Sequence, residues 1–132
     1  MPKFSKKSKE KLETCDDNLI ELFNEVINTY DCTIIIGHRT KEEQDEAFRT
    51  GKSKLKFPHS KHNEEPSMAV DVAPCPIDWK NTKRFYHFAG YVQGIAEKLG
   101  IPIRWGGDWD SDRDLDDQNF MDLVHFELKD EA

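Results

Sequence analysis

The sequence predicts an α+β domain: a small, mostly antiparallel sheet with about three flanking helices. Three observations predict it. Apolar residues recur at three- and four-residue steps in some stretches, short β-branched runs lie between them, and prolines and glycines end one kind of segment before the next begins. The 132 residues suffice for one compact domain and are too few for two. Residues 1–132 are therefore read as a single domain, with 1–7 as a flexible basic arm.

From about Ser8 to Asn28, the residues Leu12, Cys15, Leu19, Leu22, Phe23, Val26 and Ile27 follow helical spacing and predict one amphipathic helix. The β-branched run from Cys32 to His38 reads as a strand. Thr40 and Glu43 form a capping box that opens a second helix, ended near Gly51. Residues 52–67 are polar, hold Pro58 and Pro66, and read as a long loop. Met68 onward is strand-like until Pro74 stops it. A third helix spans about Thr82 to Leu99, with Phe85, Phe88, Val92, Ile95 and Leu99 on one face and Gly100 at its C-terminal cap. Ile101 to Trp105 reads as a short strand, an aspartate-rich loop follows, and Leu123 to Leu128 closes the chain as a strand. Loops longer than about 12–15 residues in a compact domain usually carry function, and this chain has two.

Hydrophobic residues make up 36%, charged residues 34%, and the formal net charge is −7. That balance argues against general nucleic-acid binding, which needs a basic face to displace counterions from phosphate. The charge is uneven: residues 3–11 hold five lysines and one glutamate, and Asp108 to Asp117 holds six aspartates and one arginine. The simplest reading of both is solvated surface. No run of about 18 apolar residues occurs, so no membrane-spanning helix and no stable membrane insertion are expected. The N-terminus has lysines without an apolar core, so no ordinary secretory signal is expected and the chain is placed in the cytosol where it is made. Cys15, Cys32 and Cys75 form no close pair and read as reduced, mostly buried thiols.

Asp71 stands inside Ala69-Val70-Asp71-Val72-Ala73, where a buried charge is costly unless it is paired or coordinates a metal. His125 is a second polar side chain in an apolar strand, and His62 lies near the end of the first long loop. Two histidines and one carboxylate match a catalytic zinc site with a fourth position left for water. Simpler readings stand beside this one. His125 alone reads as a satisfied core residue, and Asp71 alone as a turn residue or an ion pair with Arg39 or Arg104.

The stretch Ser60-Lys61-His62 to Ala69-Val70-Asp71 resembles the Ser-x-His…Ala-x-Asp signature of zinc peptidases that cut peptidoglycan stems. That family includes D-alanyl-D-alanine carboxypeptidases, D,D-dipeptidases and phage L-alanyl-D-glutamate endolysins, and it shares a hedgehog-like fold. Asp122-Leu123-Val124-His125 is similar to the family's closing segment, and Gly37-His38-Arg39 through Gln44 to its early strand–arginine–helix segment. The resemblance implies zinc on His62, Asp71 and His125, Asp122 as general base, Arg39 as the cation that stabilises the developing oxyanion, and Ser60 and Gln44 near the substrate. It implies a peptidoglycan stem peptide as partner, cleaved either at L-Ala–D-Glu as an endopeptidase or at D-Ala–D-Ala as a carboxypeptidase. With no export signal expected, the reading is a monomeric phage endolysin that accumulates in the host cytoplasm and reaches the wall after the membrane is breached. The alternative is a non-catalytic, zinc-containing, hedgehog-like binding module.

Two departures from the family pattern matter. Four residues, Asn63 to Pro66, separate His62 from Ser67, which stands where a glycine is commoner. The base position holds the shorter Asp122 where many relatives have glutamate. In a regular strand Asp122 and His125 would face opposite ways while Glu127 shares the His125 face. Asp122 as base therefore requires residues 120–123 to be loop, and Glu127 stands as a rival base or as a partner that orients His125. His59 reads as a loop histidine, His38 and His87 as structural or surface, and Cys75 as no ligand. Trp105 and Trp109 are candidates for the cleft or for core packing. Oxygen side chains at 110, 112 and 114 begin like a calcium loop, but Leu115 and Met121 stand where an EF-hand needs glycine and glutamate. A less regular Ca2+ site over 108–117 is a candidate.

Overall fold

The computed structural model describes residues 2–108, 111 and 122–129. In chain order these form α1 (Lys6–Glu13), α2 (Asp17–Ile27), β1 (Cys32–Ile36), α3 (Lys41–Arg49), a 3-10 turn (Lys61–Asn63), β2 (Ala69–Pro74), α4 (Thr82–Leu99), β3 (Ile103–Gly106) and β4 (Asp122–Leu128). The strands make one sheet in the order β1-β2-β4-β3, with every pairing antiparallel. The fold is α+β, as the sequence predicts.

The single helix expected from Ser8 to Asn28 is two helices. Between them Cys15 forms a bridge with Ser67. Asp16 N–H donates to the Ser67 carbonyl at 2.8 Å, and Ser67 N–H donates to the Thr14 carbonyl at 2.9 Å. The Asp16 carboxylate then accepts from Asn18 N–H at 2.9 Å and caps α2. Leu12, Cys15 and Leu19 are buried on both sides of the break, so apolar spacing runs through it unaltered. The flexible arm expected over 1–7 is also corrected. Phe4 is buried in the core, the Ser5 hydroxyl caps α1, and Lys6 and Lys7 lie in the helix.

On one face of the sheet, Leu22, Phe23 and Val26 of α2 and Phe88 and Val92 of α4 bury Val70, Val72 and Phe126. Phe126 meets Phe23 and Phe88 edge-on, with centroids 5.6 and 6.1 Å apart. Truncating Phe126 to alanine would cost about 3–5 kcal/mol through lost contact and the cavity left behind. Strand alternation turns Val70, Val72 and Phe126 to this core and sends Asp71, His125 and Glu127 to the opposite face. The core is thus the rigid backing of a polar site. Cys15 and Cys32 are buried and Cys75 half-buried, all three unpaired; burial pushes the Cys15 thiol up to about 11 and the Cys32 thiol up to about 12.

Candidate active site

Asp71 and His125 are register partners across β2 and β4, which sets their side chains side by side on one face. His62 arrives from the 3-10 turn, whose first N–H groups are capped by the Ser60 hydroxyl, including His62 N–H at 3.2 Å. His62 Nε2 lies 3.1 Å from Asp71 Oδ1 and 3.3 Å from His125 Nδ1, and His125 Nδ1 lies 3.1 Å from Asp71 Oδ1. All three side chains are buried.

The partners on the outer side of each ring decide what these atoms can do. His62 Nδ1 donates to the Gly37 carbonyl at 2.8 Å, which leaves Nε2 bare. His125 Nε2 donates to Glu127 Oε1 at 2.8 Å, which leaves Nδ1 bare. Three acceptor atoms therefore face one another, and only a cation stabilises such a set. Their mutual spacing of 3.1–3.3 Å would let one metal ion contact all three. Two neutral nitrogens and one carboxylate oxygen fit a divalent metal ion.

Without an ion, a proton takes that role. Burial opposes charge on His125, but hydrogen bonds to Asp71 and Glu127 outweigh it and lift its pKa to about 9. Burial likewise opposes ionisation of Asp71 and Glu127. The two histidines overcome it at Asp71 and hold that carboxyl below the usual range; at Glu127 the His125 and Arg104 partners bring it to about 2.

A cleft of about 680 Å³ opens over the group, lined by Arg39, Ser60, Asp122, Val124 and Trp79 among others. Asp122 reaches it by a route the sequence does not predict. It lies within β4, where a loop was the expected condition. Trp105 pairs with Phe126, but the next residue of β3, Gly106, pairs with Asp122, so Leu123 to His125 form a bulge. The bulge breaks alternation and puts Asp122 on the cleft with His125. Burial, and then the charge on Asp71, raise the Asp122 pKa.

Arg39 lines the cleft with its Nη1 donating to Gln44 Oε1 at 3.1 Å, and its N–H donates to the His62 carbonyl at 2.7 Å. Gln44 is fully buried behind Arg39. Its amide nitrogen donates to Ser53 Oγ at 3.0 Å and the Leu55 carbonyl at 2.7 Å, so it ties Arg39 to the cleft-lining 53–55 segment. Ser60 lines the cleft but is 5% exposed, its hydroxyl engaged in the cap.

Arg104 pairs with Glu127, not with Asp71. His59 lines the cleft outside the convergent group. His38 Nε2 sits 3.3 Å from Glu65, and His87 Nδ1 2.9 Å from the Tyr30 hydroxyl. Trp105 is core, its indole N–H donating to the Leu123 carbonyl at 2.9 Å. Trp109, and the 108–117 stretch apart from Asp108 and Ser111, lie outside the described residues, and the Ca2+ candidate with them. Sequence reading missed Trp79, a 61% exposed cleft residue stacked on Phe85, and Gly37, whose contribution is a backbone carbonyl with no sequence signal.

Fold and site together define a small α+β domain built around a buried two-histidine, one-carboxylate group able to hold a metal ion. The chain belongs to the phage L-alanyl-D-glutamate peptidase family, whose model matches residues 1–129. It is 31% identical over 121 residues to the L-alanyl-D-glutamate peptidase of Escherichia phage T5, with 88% of each chain covered. Its fold is similar to the crystal structure of the L-Ala D-Glu endopeptidase ChiX of Serratia marcescens, with TM-score 0.74, 24% identity, and 97% of this chain and 91% of that one covered.

Proposed function

We propose that this protein is a zinc-dependent endopeptidase that hydrolyses the L-alanyl–D-glutamate bond in the peptide stem of bacterial peptidoglycan, in the role of a phage endolysin. The observation that supports it most is the convergence of His62, Asp71 and His125 within 3.3 Å beneath a cleft that also presents Asp122 and Arg39, in a member of this family. The carboxypeptidase alternative gains nothing from the family or the relatives, which act on L-alanyl-D-glutamate or L-Ala D-Glu by their names.

His62, Asp71 and His125 would hold the ion, and the absence of a thiolate suits zinc in a hydrolytic role. Such an ion supplies Lewis acidity that makes water nucleophilic near neutral pH. Asp122 accepts the proton as water attacks the scissile carbonyl and passes it to the leaving amine as the C–N bond breaks. Its shorter side chain works because the β4 bulge brings its backbone to the cleft. Arg39, braced by Gln44, donates hydrogen bonds to the oxygen that becomes negative in the tetrahedral intermediate. Lys52 on the cleft wall complements a stem peptide that carries free carboxylates.

The test is to incubate purified peptidoglycan with the protein and follow newly exposed amino groups. Release should stop on chelation and return with zinc. A metal-loaded protein that releases nothing from any wall preparation would favour the binding-module alternative.

A further inference from the structure

We propose that Glu127 sets how tightly this site holds its ion, acting only through His125, and that it is a positioning residue and not a base. The inference rests on the metal-site reading above and names the residue that tunes it.

Glu127 is two residues beyond His125 on β4 and is 5% exposed. Both of its oxygens are committed. Oε1 accepts from His125 Nε2 at 2.8 Å, across the imidazole ring from the nitrogen that faces Asp71 and His62. Oε2 accepts from Arg104 Nη2 at 2.8 Å and lies 3.5 Å from Lys61 Nζ. Arg104 is the register partner of Glu127 on β3, so sheet pairing itself delivers that cation. Lys61 comes from the 3-10 turn beside His62 and also donates to the Leu128 carbonyl. One buried carboxylate thus ties three segments together: β4 with one ligand, the turn with another, and β3.

Glu127 lines the cleft, but with both oxygens engaged by His125, Arg104 and Lys61 it has no free oxygen with which to take a proton from water. It can fix the His125 tautomer and ring angle and make Nδ1 a stronger donor to a metal. The corresponding partner of His62 is only a neutral carbonyl, that of Gly37. The charged support is therefore concentrated on His125. Arg104 and Lys61 neutralise a carboxylate that would otherwise be expensive to bury.

The test titrates zinc into metal-stripped wild type, Glu127→Gln and Glu127→Ala against a chromophoric chelator. Cobalt is added in parallel to read the geometry of the site from its visible spectrum, and cleavage is assayed separately. Glu127→Gln, which keeps an acceptor oxygen but no charge, should weaken zinc about tenfold, and Glu127→Ala about 100-fold, both with altered cobalt spectra. The isosteric Glu127→Gln keeps the test valid where Glu127→Ala fails to fold. Unchanged zinc affinity in Glu127→Gln overturns the proposal. Unchanged affinity with abolished cleavage would in addition make Glu127 the base. Wild type that takes up no ion overturns the metal-site reading itself, and this role with it.

Discussion

Gly106 and Asp122 face each other across β3 and β4 so closely that a Cβ on Gly106 would fall 2.1 Å from the Asp122 carbonyl oxygen. The obstacle is backbone and cannot rotate aside. Glycine at 106 is what permits the bulge that sets Asp122 beside His125.

Gly106→Ala should therefore displace Asp122 while leaving His62, Asp71 and His125 in place. The expected result is a kcat lowered by about 10²-fold, the cost of misplacing a reacting group by an ångström, with zinc stoichiometry unchanged. Steady-state kinetics and metal analysis on the same preparation check it. A wild-type kcat would mean that the approach does not position the base.

Asp122→Asn removes the proton acceptor but keeps its shape. Turnover should fall by about 10²–10⁴-fold, the usual share of general acid–base catalysis, with fold and metal content retained. Retained turnover would remove Asp122 from the mechanism.

Arg39 and Gln44 should separate by kinetics and stability. Arg39→Ala is expected to lower kcat by about 10²–10³-fold, in the range for loss of one oxyanion donor. Gln44→Ala leaves an Arg39 N–H without its acceptor and should cost about 1–3 kcal/mol of stability with a smaller loss of kcat. Thermal melts and kcat–KM measurements on both variants check the pair; equal kcat losses would place Gln44 at the substrate after all.

Metal uptake should release protons. In the metal-free protein His125 has a pKa of about 9 against 6.5 as the ordinary value. Its stabilising contribution is full below 6.5 and disappears as pH rises through about 9. Glu127 acts with the opposite sign: lowered from 4.5 to about 2, it contributes above 4.5 and is lost as pH falls through about 2. Zinc binding at about pH 7.5 should then displace about one proton, and the release should vanish well above the raised His125 pKa. Calorimetry in buffers of different ionisation heat measures it, and zinc uptake without proton release at about pH 7.5 would contradict the raised His125 pKa.

Legibility in the sequence followed how local each signal is. The α4 boundaries and the Thr40–Glu43 box are written in consecutive residues, and both are found as read. Asp71 and His125 stand out because each is polar inside an apolar run, and His62, in a polar loop, through the Ser-x-His resemblance. The α1–α2 break was hidden because its cause, the pairing of Cys15 with Ser67, is distant in sequence while the apolar spacing runs on. The orientation of Asp122 was hidden because it depends on a register shift against β3. For Gln44 the family resemblance implies only a place near the substrate; its enclosure between Arg39 and the 53–55 segment is visible in the fold alone.

Mass spectrometry of the fragments released from a defined muropeptide, by zinc-loaded and by metal-stripped protein, tests the central claim most directly. The account predicts scission between L-alanine and D-glutamate by the loaded protein, none by the stripped one, and recovery on adding zinc back. Equal scission with and without metal, or an intact muropeptide under the loaded protein, would contradict it.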